Sequence, residues 1–596
     1  MTPYELLVDI LDKLRSEAPA AYRSYYPEPE ETEKLNSARA KAFLHLYLKV
    51  SFGLLSFAER EEYITEGGYD GGVDAYYIDS ERKTIYFLQA KFRTNEKNFE
   101  EKAIDPEELL MMDISRILEG ESKSEAGIEY NPKVLRMAKR IREIKDIGRY
   151  NYTVVILANA KGITRQKLVL LTGGLPTELI DYKACYTRLL FPLITGTYYQ
   201  ADQLQLSLSL SNKSAGAKIS YTVATEFTKC EITVIFVPTL EIAKAMFKYR
   251  NSILQYNPRS YLGHEGKGVN DEIRRSIEER ATNEFALFNN GITVLSDETY
   301  LNERIGQKDR AQLILVNPQI INGGQTAYTL SIIYRENLDK DISKIFGEKE
   351  VLVKIITFEG GEGLSEEKKL QLIEDISRAT NQQTTVTIAD RRSNERSVQE
   401  LQKKLFDRTG LFVERKRGEF EDGLREGYIR SSEVIDRTLF FRAALTVQGK
   451  IGKAKERKLV AKANYEDLID VSEETLDRYA FAVQLLNKMI HRDKERPAKV
   501  TVNLLARVYF GVLLGFKPEL TLHEREQLVN NIALNLNRMW EEFRNFLGDA
   551  FPKLEPGRKA QKKLDRQIEI YLNGSSFTSD IGRFIAQLPK ANQANP

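Results

Sequence analysis

Apolar residues recur at helical spacing at the start of the chain, where Leu6, Leu7, Ile10, Leu11 and Leu14 predict a short amphipathic helix over residues 3–17. A longer helix is predicted over 38–52, behind the capping candidates Asn36 and Ser37. The period then shortens. Residues 73–78 and 84–92 are β-rich runs around a polar five-residue turn at 79–83, the pattern of an antiparallel hairpin. Helices are expected at 106–118 and 132–147, and a buried strand at 152–158. Further strands are expected at 203–210, 219–225 and 232–237, the last feeding a helix at 240–249. Beyond about 430 only helical periodicity remains, at 434–447, 476–490, 500–514 and 523–547, which predicts a C-terminal bundle.

A chain of 596 residues is too long for one ordinary core, so two to four domains are expected. With 88 basic against 86 acidic residues it is not globally basic, and any nucleic-acid contact must come from local clusters. Two unrelated cysteines, Cys185 and Cys230, are expected as buried thiols in a reducing compartment. The charged first twenty residues and the absence of a long apolar run lead to the expectation of a cytoplasmic protein with no membrane contact.

The hairpin carries the chemistry. Alternation puts Gln89 and Lys91 on one face of the second strand, and a turn centred near Glu81 sets Asp74 across from Leu88 or Gln89. An Asp, an amide oxygen and a Lys that converge suit phosphodiester hydrolysis, in which oxygen ligands hold a hard cation and a positive group meets the developing charge. Asp74 and Gln89 are the expected metal ligands, for Mg2+ with Mn2+ as a substitute, and Lys91 the expected catalytic cation. Asp70 and Asp79, next to turn residues, read as turn formers, with Asp70 also near enough to support the site.

Gly-Gly-Tyr-Asp-Gly-Gly-Val-Asp followed by Gln-Ala-Lys resembles the PD-(D/E)xK nuclease superfamily, most of all its Mrr-like restriction-endonuclease branch. Gln89 stands where many members of that superfamily carry Glu, which implies weaker metal affinity. The first helix of such nucleases often supplies a further Glu, and the stretch around His45 has none. His45 can take that role or sit as a satisfied core histidine. Glu59, Glu62 and Glu66 are the nearest carboxylates, with Glu62 the first choice.

A second resemblance covers residues 236–430. Asn-Pro-Arg-Ser-Tyr-Leu-Gly at 257–263, Phe-Ala-Leu-Phe-Asn-Asn-Gly-Ile-Thr at 285–293, Asn-Pro-Gln-Ile-Ile-Asn-Gly-Gly-Gln-Thr at 317–326 and Glu-Arg-Lys-Arg-Gly-Glu at 414–419 are similar to the AIPR family, named for abortive infection and phage resistance. The Asn-Gly pairs read either as structural turns or, where residues 323–326 lead into a helical run, as an anion site. Arg259, Asn290, Asn322, Gly323, Gly324, Gln325, Thr326, Arg415, Lys416 and Arg417 are the expected phosphate or nucleic-acid contacts. The basic run 403–417 reads equally as a track for a nucleic-acid backbone and as a solvated helix face, and 381–383 as a polar loop rather than a reader of a base edge or nucleotide.

The expected architecture is a multidomain α/β and α+β protein. A restriction-endonuclease-like mixed sheet with flanking helices would fill 1–190, an AIPR α/β region 191–430 and a helical domain 431–596. The expected function is Mg2+-dependent endonucleolytic cleavage of phage or host DNA in anti-phage defence, with the AIPR region responding to a nucleotide or phage-derived trigger. Cleavage of both strands would call for a homodimer. A nucleic-acid- or nucleotide-binding sensor with an inactive nuclease fold, or an RNA-cleaving toxin, is the alternative.

Overall fold

The computed structural model describes residues 2–102, 112–159, 163–210, 218–257, 267–358, 366–380, 396–456, 459, 472–495, 500–518, 520–548, 558–573 and 575–587. Helix α1 (Pro3–Ser16) opens on a capping box between Thr2 and Glu5 with Pro3 in its first turn. Helix α2 (Thr32–Phe52) starts six residues before the expected point and stops at Gly53 in the left-handed conformation. A short helix α3 (Phe57–Glu61), capped by Ser56, leads to the hairpin.

Strands β1 (Ala75–Asp79) and β2 (Thr84–Ala90) are antiparallel, with Ala75 opposite Leu88 and Tyr77 opposite Tyr86. The expected hairpin is therefore present, and the register extends toward Asp74 opposite Gln89. Helix α4 (Pro132–Arg142), capped by Asn131, precedes β3 (Asn151–Leu157), which lies parallel to β2, and β4 (Thr177–Ile180) lies parallel to β3. An antiparallel bridge from Ile64 to Ala75 adds a rudiment of a strand outside β1.

Both faces of this sheet are covered. Phe43, Leu46 and Leu48 from α2 pack on Ala75, Leu88, Val155 and Leu157, while Val134, Met137 and Ile141 from α4 pack on Tyr76, Phe87, Val154 and Ile156. The first of these cores also takes in Phe406, Phe412, Phe420, Tyr428 and Ile429. Late sequence thus completes an early core, across the border expected near 190.

The central part holds a three-stranded sheet and a five-stranded one. In the first, β5 (Gln203–Ser209) and β9 (Glu298–Asn302) flank β10 (Arg310–Val316). The second runs β11-β8-β12-β7-β6, formed by β6 (Ile219–Ala224), β7 (Lys229–Pro238), β8 (Ile292–Ser296), β11 (Gln319–Asn322) and β12 (Glu350–Phe358). Helices α5 (Thr239–Tyr249) and α6 (Gly324–Glu336) share a core with Ile235, Val353 and Ile355 of that sheet. Helices at Arg437–Val447, Glu473–Asp493, Val502–Gly515 and Leu522–Leu547 then enclose Trp540 in the largest core. Both cysteines are buried free thiols. Among the described residues no helix is long and apolar enough to cross a membrane.

Candidate active site

Asp74 sits where the chain enters β1, and its backbone fixes it from both sides. Its N–H donates to Leu88 O at 2.9 Å, and its carbonyl accepts from Thr65 N and Glu66 N, each at 2.9 Å. Its side-chain Oδ2 accepts from Ala90 N at 2.7 Å, so the carboxylate lies across the end of β2. Gln89 is 2% exposed and donates its Nε2 to Gly72 O at 2.9 Å, which ties the glycine-rich loop to the sheet. Lys91 continues β2 through a bond from its N–H to Leu157 O at 3.0 Å.

Two more acids join Asp74. Asp70 folds over its own loop, accepting from Gly72 N at 3.0 Å and Gly67 N at 3.3 Å. It is thus the turn former expected from its position, and it remains in the field of the site. Glu66 has its Oε2 buried without a hydrogen-bond partner among the described residues. Burial, with help from neighbouring Asp70 and against Lys41, Lys133 and Lys91, pushes the Glu66 carboxyl up to about 7. Burial likewise pushes Asp74 up to about 8, against the Ala90 bond and Lys91 and with the help of Glu66 and Asp70. Three carboxyl groups crowd a half-buried corner whose compensating cations are lysines.

Glu66, not Glu62, is the carboxylate that the chain brings to Asp74. Glu62 ends α3 and points outward to Arg140, 3.3 Å away, with 61% of its side chain exposed. His45 does not face the acids either. It is buried, stacked on Phe57 with ring centroids 4.9 Å apart, and accepts from Arg60 Nε at Nδ1 over 3.2 Å. Its Nε2 lies 2.8 Å from Tyr25 Oη, which donates to Glu61 Oε2 at 2.6 Å. Burial lowers the His45 pKa, so the ring is a neutral member of a structural relay. No three His, Cys, Asp or Glu side chains gather into a ready-made metal cage among the described residues.

A second polar cluster surrounds the start of α6. Gly323 and Gly291 have φ of 80° and 85°, and a Cβ on either would stand 2.7 Å from a backbone oxygen, of Gly291 and Leu352 respectively. That close approach seats α6 against β8. Asn289 Nδ2 donates to Thr326 Oγ1 at 3.1 Å, Gln325 Nε2 donates to Asn270 Oδ1, and Asn257 Nδ2 reaches Ile320 O at 3.4 Å. Asn290 and Asn322 flank these bonds on either side of the Gly291–Gly323 contact, Asn322 Oδ1 accepting from Gly323 N at 2.7 Å.

The basic residues expected to grip phosphate turn inward instead. Arg415 pairs with Glu419 at 2.8 Å. Lys416 is 1% exposed and donates to Leu254 O at 3.0 Å, and burial pushes its pKa down to about 7. Arg417 is half-buried beside them. Arg259 and residues 381–383 lie outside the described residues. The blocks at 317–326 and 414–419 therefore meet at Leu254–Asn257, the first through Ile320 and Gly324 and the second through Lys416.

Residues 254–546 match the family model described as AIPR protein. This stretch, just under half of the chain, is similar to the AIPR family. The AIPR match starts later than the expected 236 and runs past 430 to 546, so the buried Lys416 and Trp540 both lie in it, while the core around Trp540 extends beyond it to Phe584. The hairpin with Asp74 lies outside the AIPR match. No curated protein and no solved structure matches the chain.

The composition of α4 holds a signal that periodicity alone does not reveal. Its eleven residues carry Lys133, Arg136, Lys139, Arg140 and Arg142 and no acid.

Proposed function

We propose that this chain is a Mg2+-dependent nuclease that hydrolyses DNA phosphodiester bonds in abortive-infection phage defence, with the AIPR region as its regulatory or recognition part. One observation carries the reading: Asp74, Glu66 and Lys91 lie within one another's electrostatic reach at the end of a hairpin whose second strand pairs in parallel with β3. That strand order, with the Ile64 bridge outside β1, is in keeping with a PD-(D/E)xK nuclease. The family's name supplies the link to phage defence.

A divalent ion fits the corner by the chemistry of its donors. Glu66 Oε2 lacks a partner among the described residues, and the carboxyl groups repel one another. Two carboxylates with the remainder of the shell left to water and substrate oxygens is a donor set that Mg2+ accepts. Asp74 and Glu66 would hold it, with Gln89 close by. When bound, such an ion polarises the phosphoryl group and makes water a better nucleophile at neutral pH. The chain's own groups do the rest. Asp74 and Glu66 give up their protons to become ligands, Gln89 keeps the glycine loop in place through Gly72, and Lys91 offers a positive charge where negative charge accumulates.

The test is cleavage of supercoiled plasmid, single-stranded DNA and single-stranded RNA with Mg2+ or Mn2+ by wild type, Asp74→Ala, Glu66→Gln and Lys91→Ala. Each variant is expected to lose about 10²–10³-fold in rate. Wild-type rates in all three would remove the site. A second reading, a nucleic-acid- or nucleotide-binding sensor, is favoured by Gln89, a neutral amide already bonded to Gly72 O. Binding by wild type without cleavage under any of these conditions would select it.

A further inference from the structure

The loop beside the acids contains a residue that the fold itself does not need. Residues 67–72 read Gly-Gly-Tyr-Asp-Gly-Gly, and positions 69, 71 and 72 all have positive φ, at 60°, 65° and 73°. Glycine fills two of these three. Tyr69 occupies the third, in the left-handed region that bulky side chains avoid. Its ring is not recruited for packing, since 65% of the residue is exposed. Tyr199, another tyrosine with positive φ, differs in kind: its ring lies over Gly53 and stacks on Tyr249 at 5.7 Å.

The loop is held firmly. Tyr69 O accepts from Asn131 N at 3.0 Å, Gly71 O accepts from Asp113 N at 2.9 Å, and Asp70 closes the turn onto Gly67 and Gly72. Asn131 is also the N-cap of α4, and its Nδ2 donates to Thr65 O at 3.0 Å. One residue therefore links the strained tyrosine, the strand entrance with its acids and the helix that carries Arg136 and Lys139 exposed. A strained backbone, a rigid mount and an exposed ring next to chemistry indicate a side chain retained for contact with something outside the chain.

We infer that Tyr69 stacks on an unstacked base of bound DNA while the basic face of α4 follows the adjoining phosphates. A flat ring in the open can meet a base only where the base has left its own stack, so the substrate class is single-stranded or locally opened DNA. The inference rests on the nuclease reading of the Asp74 corner and names its substrate.

The test uses the full chain in Ca2+, a single-stranded oligonucleotide containing 2-aminopurine and the matching duplex, with wild type, Tyr69→Phe, Tyr69→Gly and Asp74→Asn. Wild type and Tyr69→Phe are expected to quench the 2-aminopurine and to prefer the single strand. Tyr69→Gly is expected to bind it roughly tenfold more weakly without quenching. Because glycine suits the backbone at 69, the melting temperature of Tyr69→Gly should stay level or rise, which separates lost contact from lost fold. If Tyr69→Gly binds and quenches like wild type while wild type cleaves DNA in Mg2+, the stacking role is wrong and the nuclease reading stands. If wild type neither binds nor cleaves DNA, both fall. Binding that survives in Asp74→Asn but is lost in Tyr69→Gly supports the assignment directly.

Discussion

At the scale of single residues, Asp74 is where stability and function pull apart. The folded protein holds a proton on it up to about pH 8, whereas an unfolded chain releases that proton near the ordinary value of 3.8. Between those limits the folded state binds more protons, so stability falls as pH rises from about 4 to about 8. Melting in metal-free buffer should therefore move to lower temperature from pH 5 to pH 8. Asp74→Asn should flatten the trend and raise the melting temperature at pH 8, and an unchanged slope would refute the assignment. The expected cleavage activity runs the opposite way, rising over the same range as the acids lose their protons. Asp74, Gln89 and Lys91 are legible from the sequence because strand alternation and hairpin register decide where such side chains point. The preference for Glu66 over Glu62 is not, because the path of residues 62–66 between α3 and β1 follows no period. The inward turn of Arg415 and Lys416 is equally hidden, since a run of basic residues looks the same whether it faces water or a buried Glu419.

Elements divide along similar lines. The hairpin, β3, β7 and the long C-terminal helices all follow their hydrophobic periods. Helix α2 reads short in the sequence because its first turn is polar and exposed, so that no apolar stripe announces it. The junction of β8 and α6 depends on a different kind of information. The sequence shows glycines at 291 and 323, but only the fold shows each one's absent side chain filled by a neighbouring carbonyl. Gly291→Ala and Gly323→Ala should each cost about 2 kcal/mol in urea unfolding, combining overpacking with a disfavoured φ. Gly268, where an added Cβ would meet nothing within 4 Å and φ is not positive, is the control that should tolerate alanine.

In the whole molecule, the segment around Asp422 binds the parts together. Its carboxylate accepts from Tyr328 Oη at 2.9 Å and Arg250 Nη1 at 3.3 Å and also pairs with Arg425, while a Cβ on the adjacent Gly423 would stand 2.7 Å from Ile194 O. Asp422 is 1% exposed, and Asp422→Ala would leave two arginines in a buried setting without it. A loss of about 3–5 kcal/mol is expected by chemical denaturation, with the hairpin site and the AIPR region unfolding in the same transition. Separate transitions would show that the junction does not couple them. The same packing gives synthesis an order. Phe406, Phe412, Phe420, Tyr428 and Ile429 complete the core that backs β2, yet the ribosome makes them long after the hairpin. At ~5–20 residues per second, the hairpin waits tens of seconds for its last supporting side chains. A nascent chain therefore carries Asp74 and Lys91 on an unfinished scaffold until much of the AIPR-like region has emerged, so the cell making this protein meets a completed acidic corner only together with the part proposed to govern it.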